Sequence, residues 1–310
     1  MIISASRRTD IPAFYGEWLY NRLLEGEVLV RNPMNPKVLT RIPLNPKDIE
    51  CLVFWTKNPK NFMPYLEKID ALGYRYYFQF TLTAYDQQIE RKVGKKAGII
   101  GSFIELSERI GKERVIWRYD PIIVNEKYPI AYHEKYFGLL CEKLHDHTEK
   151  CVISFIDQYN FLKKDFAAFQ VKELDADTMR EIAKSICGIA GKYRLRVATC
   201  SEKIDLKDLG IEHNKCIDDE LIGRIRGEPL QYVKDPSQRE ECGCTVSRDI
   251  GVYNTCQHGC IYCYAKRGGM RQKVGYDPKS LMLCDAVRGD EKITTLDIKK
   301  DKSSRLELFS

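Results

Sequence analysis

Cys51-Leu-Val-Phe-Trp-Thr56 and Arg75-Tyr-Tyr-Phe-Gln-Phe-Thr81 decide how the first two hundred residues fold. Both runs are short, apolar and rich in β-branched or aromatic side chains, with no clean alternation of apolar and polar positions. That is the pattern of parallel strands buried on both faces. Four more runs read the same way: Ile2–Ser6, Val115–Arg118, Cys151–Ile156 and Leu195–Thr199. Helical patterns lie between them. The clearest spans Asp177–Tyr193, with Met179, Ile182, Ala183, Ile186, Ala190 and Tyr193 on one stripe behind an acidic cap. Another runs over Lys96–Ile110, with Phe103, Leu106 and Ile110 on one face. Repeated strand–helix alternation predicts an α/β fold over residues 1–199, a parallel and at least partial β/α barrel of about six strands. Val28–Leu44, broken by Asn-Pro steps at Asn32 and Asn35, predicts an inserted hairpin.

After Thr199 the rhythm stops. Residues 200–310 read as a cysteine-rich C-terminal region, with a short helix near Asp218–Ile225. From Lys292 onward the chain is charged and expected to be poorly ordered, apart from a docking segment at Leu306–Phe309. A chain of 310 residues with 44% apolar content can bury a full core, about the size of one barrel domain plus an appendage. No run of eighteen uncharged apolar residues is present, so no membrane association is expected. The opening Met1-Ile-Ile-Ser-Ala-Ser-Arg-Arg reads as a strand rather than a secretory signal, which predicts a cytoplasmic protein. The net charge of +6 permits a polyanionic partner without arguing for one. The densest basic stretch, Ala265–Lys273, keeps nucleic acid open as a substrate, although solvated surface explains it more simply.

Twelve cysteines in a reducing compartment point to metal or redox chemistry rather than disulfides. Cys51, Cys141, Cys151 and Cys187 sit in apolar segments and read as core, as does Cys284. Cys256, Cys260 and Cys263 stand at C-x-x-x-C-x-x-C spacing, close enough for all three thiolates to reach one centre. Closed structural sites take four protein ligands, whereas three leave a position open for chemistry. Gly259 permits the turn that wraps the ligands round a cluster. A second set, Cys200, Cys216, Cys242 and Cys244, has the count of a closed site, open between an auxiliary 4Fe–4S cluster on one side and zinc or free thiols on the other. His258 reads as a residue that orients by hydrogen bonding, and Tyr262 and Tyr264 as shields.

The spacing, with an aromatic residue before the third cysteine, resembles the radical S-adenosylmethionine (SAM) superfamily. Cys256-Gln-His-Gly-Cys-Ile-Tyr-Cys-Tyr-Ala265 looks most like members related to spore photoproduct lyase. As a whole, the chain resembles an uncharacterised microbial family with a radical-SAM-like cysteine cluster at its C-terminus. The resemblance implies a 4Fe–4S cluster whose open iron chelates SAM, reductive cleavage to a 5′-deoxyadenosyl radical, and an electron donor such as ferredoxin or flavodoxin. Two features depart from the superfamily. Only 47 residues follow Cys263, so the strands must precede the cluster and the cysteine segment must fold back over the barrel mouth. No Gly-Gly-Glu element is present, since Gly268-Gly269 is followed by Met270.

Residues at the C-terminal ends of barrel strands are where ligands gather. Arg7, Arg8 and Arg118 occupy such ends, and a guanidinium fork suits a carboxylate or phosphate. They are candidates for SAM and for a substrate with an anionic group, Arg118 first for the SAM carboxylate; structural ion pairing is the competing reading. The competing function is a nucleic-acid-binding or repair protein with a structural metal site.

Overall fold

Both faces of a parallel sheet have to be covered, and in the computed structural model, which describes residues 1–266 and 275–298, two unlike layers cover them. The elements begin with β1 (Ile2–Ala5), α1 (Ile11–Phe14), α2 (Gly16–Glu25), β2 (Glu27–Arg31), β3 (Val38–Pro43), β4 (Cys51–Thr56) and α3 (Met63–Ala71). Next come β5 (Tyr76–Thr81), α4 (Lys96–Ile110), β6 (Val115–Ile122), α5 (Ile130–Leu144), β7 (Lys150–Phe155), α6 (Lys163–Ala168) and α7 (Ala176–Lys192). The remainder are β8 (Arg196–Thr199), β9 (Glu212–His213), α8 (Asp219–Arg226), β10 (Arg248–Asp249) and β11 (Lys292–Thr295).

The central sheet has eight strands in the order β10-β1-β4-β5-β6-β7-β8-β9, and every neighbouring pair is parallel. All six expected strands are in it. The α/β reading therefore holds, with two strands more than expected. These are β9 and β10, two residues each, supplied by the C-terminal region to the two edges. The inserted hairpin forms as read, β2 and β3 pairing antiparallel. Lys292–Thr295 departs from expectation: it forms β11, parallel to β3, because the open edge of the hairpin offers backbone groups that need partners. The basic stretch from Arg267 onward, the Gly268-Gly269 pair and Leu306–Phe309 lie outside the described residues.

Alternate side chains of each strand enter different cores. Leu52, Phe54, Phe78, Trp117 and Ile153 point to one face, where the apolar stripes of α2 to α5 and α7 cover them. On α7 that stripe is Ile182, Ala183, Ile186 and Ala190, behind Asp175, whose carboxylate accepts from the Thr178 amide at 2.7 Å. Val53, Tyr77, Ile116 and Val152 point to the other face. There the cover is the single stretch from Cys216 to Cys244, carrying α8 with Leu221 and Ile222. Its attachment is polar as well as apolar, since the Cys216 carbonyl accepts from the Tyr77 hydroxyl at 2.6 Å and from Gln79 Nε2 at 2.9 Å. None of the described helices is long and apolar enough to cross a membrane.

His133 lies fully buried in α5, its ring nitrogens 2.9 Å from the Tyr119 hydroxyl and 2.8 Å from the Ile123 carbonyl. Burial drives its pKa down to about 4, against the pull of the Ile123 carbonyl. The folded chain thus keeps His133 neutral while the unfolded chain takes up a proton below about pH 6.5. Its stabilising contribution is full above that value and is lost as the pH falls toward 4. Urea unfolding of the wild type should therefore weaken over this window by up to about 3 kcal/mol more than that of His133→Gln. Parallel pH profiles for the two proteins would show that His133 is not the titrating group.

Candidate functional site

Residues that begin as loop starts after the strands end up in one polar layer beyond the C-terminal ends of β1, β4 and β5. Asp10, past β1, caps α1 by accepting from the Ala13 amide at 2.9 Å. Its second oxygen accepts from the Lys57 amide, past β4, and pairs with His258 Nε2, both at 2.8 Å. Glu90, past β5, is buried and gathers the Lys57 ammonium at 2.6 Å, the Thr83 hydroxyl at 2.8 Å, the Tyr262 hydroxyl at 2.5 Å and Lys96. Burial alone would keep Glu90 protonated, but the facing Lys57 and Lys96 overcome it and draw its pKa down to about 2. Burial likewise opposes the charge on Lys57, and Glu90 more than restores it. The result is a desolvated ion pair with its lone pairs filled.

The loop carrying Cys256, Cys260 and Cys263 is seated on this layer. Backbone bonds tie it down, from Lys92 N to the His258 carbonyl at 2.9 Å and from Ile261 N to the Ile89 carbonyl at 3.0 Å. Gly259 turns between them with φ of 68°, a conformation that side chains disfavour. The three sulfurs interact electrostatically with one another. Nearby loop amides favour the thiolate forms, that of His258 for Cys256 and those of Ala265 and Lys266 for Cys263. Burial pushes all three thiols up, Cys260 to about 12, against the attraction of the nearby Lys57. A cationic centre would reverse that balance, because metal ligation deprotonates thiols. His258 is oriented by Asp10 and by ring contact with Phe14 at 4.7 Å between centroids. Its Nδ1 is buried with no hydrogen-bond partner among the described residues.

The second set of cysteines also converges. Cys200, just past β8, places its sulfur 3.4 Å from that of Cys216. Cys244 interacts electrostatically with both Cys216 and Cys242. The hydrogen bond with Cys200, together with the Arg118 guanidinium, holds the Cys216 thiol well below its ordinary value. Among the described residues, no three His, Cys, Asp or Glu side chains are already assembled as metal ligands. Cys51, Cys141 and Cys151 are buried core, as read, while Cys187 and Cys284 are only half-buried.

Each of the three arginines has protein partners. Arg118 pairs with Asp120, points Nη1 at Cys216 Sγ at 2.8 Å, and lies over the Trp55 ring at 5.2 Å. Arg7 donates its backbone amide to Asp249 at 2.8 Å and its guanidinium to Ser247 at 3.2 Å. Arg8 is the least committed, 3.8 Å from Asp249, 3.4 Å from the Gly251 carbonyl, and over the Tyr253 ring at 5.3 Å. Two surface hollows of about 480 and 580 Å³ are lined by other residues. Sequence reasoning missed Glu90, a lone carboxylate in a turn.

These features define a class: an α/β protein whose parallel sheet carries two groups of thiols past its strand ends. The chain belongs to the family described as Domain of unknown function (DUF1848), whose model matches residues 2–265 and so spans both groups. No curated protein and no solved structure matches it.

Truncating Glu90 tests the seat of the loop. Glu90→Ala leaves the Lys57 ammonium buried without its partner, so stability should fall by about 3–5 kcal/mol in urea unfolding. Cys256, Cys260 and Cys263 should also react faster with a thiol reagent. Unchanged stability and unchanged thiol reactivity would remove Glu90 from this role.

Proposed function

We propose that this chain is a radical SAM-type enzyme, with its parallel sheet curled as a partial β/α barrel and the loop of Cys256, Cys260 and Cys263 closing over the mouth. The observation that carries the reading is the seating of the loop with its three thiols, within electrostatic range of one another, on the Asp10, Lys57 and Glu90 layer at the C-terminal strand ends. The donor set suits a 4Fe–4S cluster: three sulfurs rather than four, nearby amides that favour thiolate, and a buried ammonium. When bound, such a cluster supplies one electron that splits SAM into methionine and a 5′-deoxyadenosyl radical, which takes hydrogen from a substrate.

The chain's own residues have definable tasks. Glu90 fixes Lys57 and Tyr262 behind the loop, and the Lys57 charge favours the added electron. Tyr262 and Ile261, both buried, keep water from that side. Arg7, Arg8 and Arg118 are the cations available to the SAM carboxylate and to an anionic substrate. We assign the SAM carboxylate to Arg8, whose fork is least occupied by the protein. A ferredoxin or flavodoxin in a reducing, cytoplasmic setting would serve as donor.

Anaerobically reconstituted protein should carry a 4Fe–4S cluster that Cys260→Ala loses. With SAM and a strong reductant it should release 5′-deoxyadenosine. Cluster-loaded protein that forms none ends the radical reading. Arg8→Ala should keep its iron and sulfide and weaken SAM binding by about tenfold or more in calorimetry; unchanged affinity removes the Arg8 assignment.

A further inference from the structure

Cys200, Cys216, Cys242 and Cys244 come from three separate stretches of chain, and their surroundings are built for negatively charged sulfur. Asn214 Nδ2 donates to Cys216 Sγ at 3.2 Å, the Ile217 amide to Cys244 Sγ at 3.4 Å, and Arg118 Nη1 to Cys216 Sγ at 2.8 Å. Backbone bonds hold the carriers in place, from Cys200 N to the Ile153 carbonyl at 2.9 Å and from Asn214 N to the Thr199 carbonyl at 2.7 Å. Between Cys242 and Cys244 stands Gly243, where a Cβ would come within 3.1 Å of Lys215 Cγ and 3.3 Å of the Asn214 carbonyl oxygen. A side chain there would push the 242–244 turn off the 214–216 stretch and separate the thiols.

We propose that these four cysteines hold a single zinc ion in a closed tetrathiolate site. The spacing selects a centre on which cysteines share one metal atom over a second 4Fe–4S cluster. Zinc–sulfur bonds of about 2.3 Å place tetrahedral sulfurs about 3.8 Å apart, and Cys200 and Cys216 already stand at 3.4 Å. In a cubane each cysteine takes a different iron, so the cysteine sulfurs cannot approach to contact. On binding, the cysteines that are still protonated lose their protons to solvent, and the Cys200–Cys216 contact becomes one edge of the tetrahedron. Four thiolates and one Zn²⁺ carry a net charge of −2. Arg118, bonded to Cys216, and Arg7, in electrostatic range of Cys244 and Cys216, offset it. Such an ion rivets the layer from Cys216 to Cys244 to the end of β8, so the cover of the sheet's second face depends on metal. This site is independent of the cluster proposed for the neighbouring loop.

Elemental analysis of protein purified anaerobically without chelator tests it. The Cys256→Ala/Cys260→Ala/Cys263→Ala variant should retain one zinc per chain and no iron, and Cys242→Ser/Cys244→Ser should lose the zinc. Cobalt in place of zinc should give the intense visible bands and near-ultraviolet charge transfer of a tetrahedral thiolate site. Iron with matching sulfide in the triple variant overturns the proposal, as does zinc that survives Cys242→Ser/Cys244→Ser. Should that double variant fail to fold, the cobalt spectrum of the triple variant decides: thiolate bands at one equivalent uphold the site, and weak octahedral absorption or none rejects it. The neighbouring loop is read separately, by its iron in the wild type.

Discussion

The Cys216 carbonyl accepts two buried hydrogen bonds from β5, one from Tyr77 and one from Gln79. Those bonds fix where the layer from Cys216 to Cys244 lies on the sheet. A parallel sheet normally receives a helix on each face from its own crossovers. Here the crossover helices serve one face, and the second would be wet without this single stretch. Covering the apolar Val53, Ile116 and Val152 therefore brings Cys216, Cys242 and Cys244 to Cys200 as a geometric consequence. Packing and candidate chemistry are inseparable in that layer.

At the strand ends the organising force is electrostatic. Asp10 and Glu90 each accept from several donors that arrive from different parts of the chain, so neither carboxylate is left unsatisfied in the interior. Removing one donor would leave the others, whereas removing a carboxylate strands several groups at once. Asp249 plays the same part beside β1, accepting from Ser4, Ser6 and the amides of Arg7 and Gly251. Gly251 passes so close to Ser6 that a Cβ would come within 2.1 Å of its hydroxyl. Three carboxylates thus fasten the cysteine-bearing region to strands made more than a hundred residues earlier.

The six long strands were readable because burial on both faces leaves an unbroken apolar run, as in Cys51–Thr56 and Tyr76–Thr81. The two-residue β9 and β10 were not, since no periodicity exists over two residues, and β11 hides in a charged stretch whose order comes from pairing with β3. Thiol spacing announced Cys256, Cys260 and Cys263, because those ligands are local in sequence. The convergence of Cys200, Cys216, Cys242 and Cys244 was suggested only by their number. Glu90 was invisible, because its importance lies in Lys57, Lys96 and Tyr262, which only folding brings to it.

Chain order gives the sheet a history. Synthesis runs from the N-terminus, and domains begin to organise as they emerge. All strands from β1 to β8 leave the ribosome before Cys200, the first of the seven clustered thiols. The scaffold can therefore pair its central strands while no ligand set exists to capture metal prematurely. The outer edge of β1 meanwhile stays open until Arg248 and Asp249 arrive to pair with Ile3 and Ser4. The proposed metal loading would in this sense be a finishing step, performed on a platform whose strands are already in register.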